Sequence, residues 1–110
     1  MMSLKQIETL YAGIRHNDPA NAPALNDLGL MALENGFTAQ ARKYLSQALD
    51  LVPDNPVFRI NISQVYRAEN RLDQARAQLE KAVALNPDIK EAHANLGDIL
   101  MLQGTPDQAL

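Results

Sequence analysis

The sequence predicts an all-α fold, an α-solenoid of antiparallel helix pairs with about six helices and a truncated seventh. The first observation behind this is a period of 34 residues, marked by Pro53 and Pro87 and preceded by Pro19. The second is the spacing of apolar residues inside each period, which recur every three or four positions as they do on one helical face. Periods of about 20 to 50 residues are typical of solenoids, whose units bury their apolar faces against their neighbours.

The columns of the repeat show which positions form its core. A large apolar residue is followed by a small one, and alanine and leucine recur later in the unit. The matching positions are Leu28-Gly29, Ile62-Ser63 and Leu96-Gly97; Ala41, Ala75 and Ala109; Leu45 and Leu79; and Ala48 and Ala82. Small residues at these positions let paired helices approach to about 8–10 Å. A leucine at Ala41 or Ala75 is therefore expected to push a pair apart.

The helices follow from this pattern in chain order. Residues 4–16 match the second helix of a unit, with Ile7, Tyr11 and Ile14 in the inward columns. The first full unit has a helix carrying Leu25, Leu28 and Ala32, a break at Asn35-Gly36, and a helix over 38–51 with Ala41, Leu45, Ala48 and Leu49 inward. The second unit has helices near 56–69 and 72–85, split at Asn70. A final incomplete unit begins with a helix over 91–103, which matches the first helix of a unit.

Capping residues support these boundaries. Asn55-Pro56 reads as a cap followed by proline in the first turn, where the missing N–H costs nothing. Asp88 and Glu91 have the spacing of an N-cap and its third residue, and residues 105–108 read as a capping box. The truncated seventh helix, which this capping box begins, stops after about five residues and is too short to be stable alone. We therefore expect the chain to be part of a longer protein.

Composition excludes several classes of function. The chain has 110 residues, a net charge of −3 and no cysteine, so it offers no basic surface for nucleic acid and no thiol chemistry. It contains no apolar run of membrane-spanning length and no signal peptide, which predicts a cytoplasmic protein that does not bind membranes. His16 and His93 lack companions at metal-ligand spacing. We expect no cofactor, no metal and no catalysis.

The columns resemble the tetratricopeptide repeat, and the resemblance covers the whole chain. It is carried by Leu28-Gly29, Ala41, Ala48 and Pro53 in one unit and by their equivalents in the next. Tyr66 matches the aromatic of the family's first helix, whereas the early tryptophan is replaced by Leu25, Arg59 and His93. The resemblance implies a right-handed solenoid forming one domain. Its parts would be a half repeat over 3–19, repeats over 22–55 and 56–89, and an incomplete repeat over 90–110.

The resemblance also implies a concave groove, lined by first helices, that binds an extended peptide or partner segment. One position in it holds Asp27, Asn61 and Asn95, which is similar to the asparagine ladder of O-linked N-acetylglucosamine transferase repeats. Asparagine is a poor residue inside a helix, and its amide both donates and accepts, so it suits pairing with a peptide backbone. The alternative is that these are solvated polar positions. The full predicted groove is Asn26, Asp27, Leu30, Ile60, Asn61, Gln64, Arg67, Asn95 and Asp98.

Two further expectations concern partners. The carboxylate clamp of chaperone-binding members is absent, because only Asn61 fits it and Glu91 would repel a carboxylate. The alternative function is structural self-assembly, in which Leu96, Leu100 and Leu110 on the unfinished C-terminal end dock against a second copy as an exposed apolar patch. Partners are thus expected to be a protein, a peptide or the chain itself.

Overall fold

The computed structural model describes residues 1–104, which form six α-helices and no strand. The helices are α1 (Leu4–Asn17), α2 (Ala22–Glu34), α3 (Thr38–Leu51), α4 (Pro56–Ala68), α5 (Leu72–Leu85) and α6 (Lys90–Leu102). The predicted all-α architecture is confirmed, while the predicted seventh helix lies outside the described residues. None of the six helices has both the length and the apolar character that crossing a bilayer requires.

The helices divide into two compact units, Met1–Asp54 and Asn55–Leu110. In the first, α2 packs against both α1 and α3. Most inward positions predicted for this unit are buried, among them Leu25, Leu28 and Ala32 on α2 and Ala41, Leu45 and Ala48 on α3. On α1, Ile7 is buried, whereas Tyr11 and Ile14 are half-buried.

In the second unit, α4, α5 and α6 share one buried core. Helix α5 packs against both of them, and α4 also contacts α6. The buried cluster consists of Ile60 from α4, Ala75, Leu79 and Ala82 from α5, and Ala92 and Ile99 from α6. Three alanines in this cluster explain how three helices share so small a core, since small side chains permit close helix contact.

Each first helix ends with a residue in the left-handed backbone region, and the three residues are one period apart. They are Gly36 at φ +83°, Asn70 at φ +58° and Gly104 at φ +63°. Glycine adopts this conformation at no steric cost, and asparagine tolerates it better than most residues. The predicted breaks at Asn35-Gly36 and Asn70 are therefore confirmed as C-terminal caps.

Side-chain caps begin three of the described helices, in two different ways. The Ser3 hydroxyl accepts from the Gln6 N–H while the Gln6 side chain accepts from the Ser3 N–H, which makes a capping box on α1. The Asn55 side chain accepts from the N–H groups of Val57 and Phe58, so the predicted Asn55-Pro56 start is confirmed. Asn21 caps α2 in a similar manner. The start of α6 has no such cap and departs from the prediction.

The predicted N-cap at Asp88 is wrong. The N-cap of α6 is Ile89, which forms no side-chain cap hydrogen bond. The cause is Asn86, whose side-chain oxygen accepts from the Asp88 N–H at 3.1 Å and holds the preceding turn. Ile89 is partly buried against the core of the second unit, so apolar packing rather than a polar cap fixes where α6 begins.

Candidate peptide-binding face

Two helices of the second unit, α4 and α6, carry a cluster of polar side chains beside a small cleft. Gln64 and Arg67 of α4 are three residues apart and share a helical face, as do Asn95 and Asp98 of α6. Gln64, Arg67 and Asn95 line the cleft. We call the surface formed by Gln64, Arg67, Asn95 and Asp98 the α4–α6 face.

The cleft in this face is small. Its volume is about 10 Å³, and its other lining residues are Ser63, Leu79 and Ile99. A volume of about 10–15 Å³ accommodates one water molecule, so the cleft is too small to enclose an organic ligand. The arrangement offers polar groups at the surface to a molecule that lies across it.

An ion pair joins the two helices at this face. The Arg67 guanidinium nitrogen lies 3.8 Å from an Asp98 carboxylate oxygen, and the two side chains are 48% and 55% exposed. Ion pairs this exposed contribute at most about 1 kcal/mol to stability. Their charges remain accessible to a ligand, so the pair bears on what the face binds more than on folding.

The three equivalent positions of the predicted asparagine ladder differ in burial. Asn61 on α4 is only 8% exposed, Asn95 on α6 is half-buried, and Asp27 on α2 is exposed. Asn61 lies one helical turn before Gln64, and little of its side chain reaches the surface. Among residues of the α4–α6 face, Gln64 and Asn95 are the amides available to a ligand.

One predicted groove residue belongs to the core instead. Ile60 is 1% exposed and lies in the buried cluster of the second unit, so its assignment to the groove is wrong. The residue one period earlier, Asn26, is 8% exposed, whereas Leu30 on the same helix is half-buried. In the first unit, therefore, Asp27 and Leu30 are the predicted groove residues that reach the surface of α2.

The residues predicted for self-association are only partly exposed. Leu96 is half-buried and packs against the core of the second unit, and Leu100 is also half-buried. Leu110 lies outside the described residues. The large apolar side chains that α6 exposes most are Met101 at 74% and Leu102 at 52%.

His93, which lacks companions at metal-ligand spacing in the sequence, has a local partner. Its Nε2 lies 2.7 Å from the Pro87 carbonyl oxygen, which accepts a hydrogen bond from the ring. This contact connects the start of α6 to the turn before it. It assigns His93 a structural role next to the proline that closes the repeat.

Sequence reasoning missed the Arg67–Asp98 pair and an aromatic cluster in the first unit. There, the rings of Tyr11 and Tyr44 stack with centroids 4.5 Å apart, and the Lys43 ammonium lies 4.8 Å from the Tyr11 ring centroid. Burial, with Glu8 and Tyr11 nearby, raises the pKa of Tyr44. The sequence did contain a signal for the Arg67–Asp98 ion pair, because these two predicted groove residues carry opposite charges and lie in consecutive repeats.

Comparison with known proteins identifies the repeat. The sequence matches the tetratricopeptide repeat family over residues 32–88 and 66–110. Cellulose synthase operon protein C of Pseudomonas fluorescens is 35% identical over 75 residues, which cover 68% of this chain and 6% of that protein. The chain thus spans a small fraction of the length of this curated relative.

Two solved structures have the same arrangement of helices. The second TPR domain of human RPAP3, in complex with the HSP70 peptide SGPTIEEVD, is 25% identical with a TM-score of 0.77, covering 84% of this chain and 77% of that one. An O-GlcNAc transferase of Thermobaculum terrenum is 28% identical with a TM-score of 0.77, covering 86% of this chain and 18% of that one.

Proposed function

Because the chain belongs to the tetratricopeptide repeat family, we propose that it is a non-catalytic protein-interaction module that binds an extended peptide segment. The proposed contact surface in the second unit is the α4–α6 face. For the first unit taken by itself, Asp27 and Leu30 on α2 remain the predicted contact residues. The human RPAP3 domain, which is similar to this chain and is in complex with a peptide, supports this class of ligand.

The observation that carries the proposal is the pair of amides, Gln64 and Asn95, on either side of a cleft too small for an enclosed ligand. A side-chain amide donates through its nitrogen and accepts through its oxygen. It can therefore pair with both the N–H and the C=O of a peptide backbone, whatever the peptide's side chains are. Amides on two neighbouring helices suit a chain that crosses both.

The proposal is tested by binding of a pool of short random peptides, comparing the wild type with the Gln64→Ala/Asn95→Ala double variant. Each lost hydrogen bond should cost about 0.5–1.5 kcal/mol, so we expect affinity to fall about tenfold or more. The matched control is Gln74→Ala, which removes an exposed amide from α5 that does not line the cleft. Asn61 is avoided, because replacing a residue that is 8% exposed would also perturb folding.

Two results would contradict the proposal. If the folded wild type binds no peptide of the pool, the chain is not a general peptide-binding module. If the double variant binds the same peptides as tightly as Gln74→Ala does, the chain binds peptides elsewhere and the α4–α6 face is not the site.

A second candidate function is self-association through the end of α6. It is supported by the exposure of Met101 and Leu102, which lie side by side in the chain. Apolar side chains exposed together are typical of interaction surfaces. Light scattering over a range of protein concentrations decides this candidate, since a chain that stays monomeric at high concentration would exclude it.

A further inference from the structure

We propose that the charges around Asp98 make the α4–α6 face select extended segments that carry basic side chains and reject acidic ones. This inference rests on the proposed function and names the chemistry of its ligand. The selection arises because Asp98 partly compensates the positive charge of Arg67, whereas the carboxylate of Glu91 on α6 stays exposed and uncompensated.

The first step is the state of Arg67. Its guanidinium faces the Asp98 carboxylate at 3.8 Å, so an acidic ligand must compete with Asp98 for it. Because both side chains are about half exposed, a ligand reaches the pair without disrupting the core. Arg67 is therefore a partly compensated positive charge.

The second step is the surplus of negative charge on α6. Glu91, Asn95 and Asp98 are spaced by four and three residues and share one face of the helix. Glu91 is exposed, and no ion pair to it is formed within residues 1–104. The neighbouring cation, Lys90, lies about 100° around the helix from Glu91. With Arg67 compensated by Asp98, the uncompensated charge on this face of α6 is negative.

The third step is the fit of a ligand. A peptide whose backbone pairs with Gln64 and Asn95 places its side chains near Glu91, which is one helical turn from Asn95 and carries the uncompensated negative charge. A lysine or arginine there gains an ion pair, whereas a glutamate or aspartate meets like charge. By contrast, the peptide in the human RPAP3 complex ends in the acidic run EEVD.

The inference is tested with three pools of short peptides with blocked ends, which differ only in carrying lysines, glutamates or no charged residue. Affinities are compared at low salt for the wild type, for Asp98→Asn, which preserves the side-chain shape, and for Arg67→Gln, which removes the charge and shortens the side chain. The wild type should prefer lysine to glutamate peptides by about threefold to tenfold. The preference should shrink as salt is added, because exposed charges are screened.

The two variants should move this preference in opposite directions. Asp98→Asn releases Arg67 and should shift the ratio toward glutamate peptides, whereas Arg67→Gln releases Asp98 and should shift it further toward lysine peptides. If the ion pair had only a structural role, the two variants would not shift the preference in opposite directions. Removing either charge would then change the affinities for all three peptide pools alike.

The outcomes separate this inference from the function on which it rests. If the neutral pool binds but the lysine-to-glutamate ratio is the same in all three proteins, the charge selection is wrong and peptide binding stands. A wild type that prefers glutamate peptides would also overturn the selection. If no pool binds the folded wild type, the proposed function fails and this inference with it.

Discussion

Replacing Leu79 by alanine should lower the free energy of unfolding by about 2–5 kcal/mol, the usual cost of removing a fully buried leucine side chain. Leu79 is 0% exposed, belongs to the second unit's core, and also lines the cleft in the α4–α6 face. Urea denaturation followed by circular dichroism measures the change, provided that the slope of the transition is unchanged. A loss of this size is a large share of the stability of a small domain.

Leu85→Ala is the matched control on the same helix. Leu85 is 42% exposed near the end of α5, so its removal should change the free energy of unfolding by about 0.5 kcal/mol or less. Equal losses for the two variants would contradict the assignment of Leu79 to the core.

Replacing Gly29 by alanine should destabilise the first unit by about 1–3 kcal/mol, the range for overpacking a helix contact. A Cβ at this position would lie 2.6 Å from Leu45 Cγ, which is closer than carbon atoms approach without a shift of one helix. Thermal denaturation should show a lower melting temperature for Gly29→Ala than for the wild type.

Gly97→Ala, two periods later, provides the contrasting variant. Within the part of the chain that the structure describes, no atom outside its chain neighbours and its own helix backbone lies within 4 Å of a Cβ built at Gly97. Because alanine is favoured over glycine inside a helix, this change should raise stability by up to about 1 kcal/mol. If both variants shift the melting temperature the same way, the close approach at Gly29 is not what distinguishes the two positions.

Much of the fold was predictable because the repeat places the same physical requirement at positions one period apart. Helices α3 and α5 have their predicted bounds, and Asn70 takes the left-handed conformation that glycine takes one period earlier. The start of α6 was not predictable from capping patterns. There, an asparagine two residues before the supposed cap holds the turn, and Ile89 packs on the core.

The candidate site was less predictable, because a shared column does not ensure shared exposure. Asp27, Asn61 and Asn95 hold one position of the repeat, yet only Asp27 is exposed and Asn61 is almost buried. The column of Ile60 shows the same problem, since Asn26 and Ile60 are buried in it whereas Ala94, one period later, is exposed. Burial depends on the neighbouring helices, which the spacing within one helix does not specify.

The Arg67–Asp98 pair could not be established from sequence for a related reason. Its two residues lie on different helices, and whether they meet depends on how α4 packs against α6. That packing is set by the cluster around Leu79, so the core of the second unit determines the charge that its surface presents. The proposed selectivity thus follows from the fold as much as from the two residues.

The most direct test of peptide binding on the α4–α6 face is nuclear magnetic resonance of the nitrogen-labelled chain, titrated with the tightest-binding peptide of the random pool. We predict that the largest shift changes occur at Gln64, Arg67, Asn95 and Asp98. Changes confined to α1, or to Met101 and Leu102 at the end of α6, would contradict the assignment of this face as the binding site.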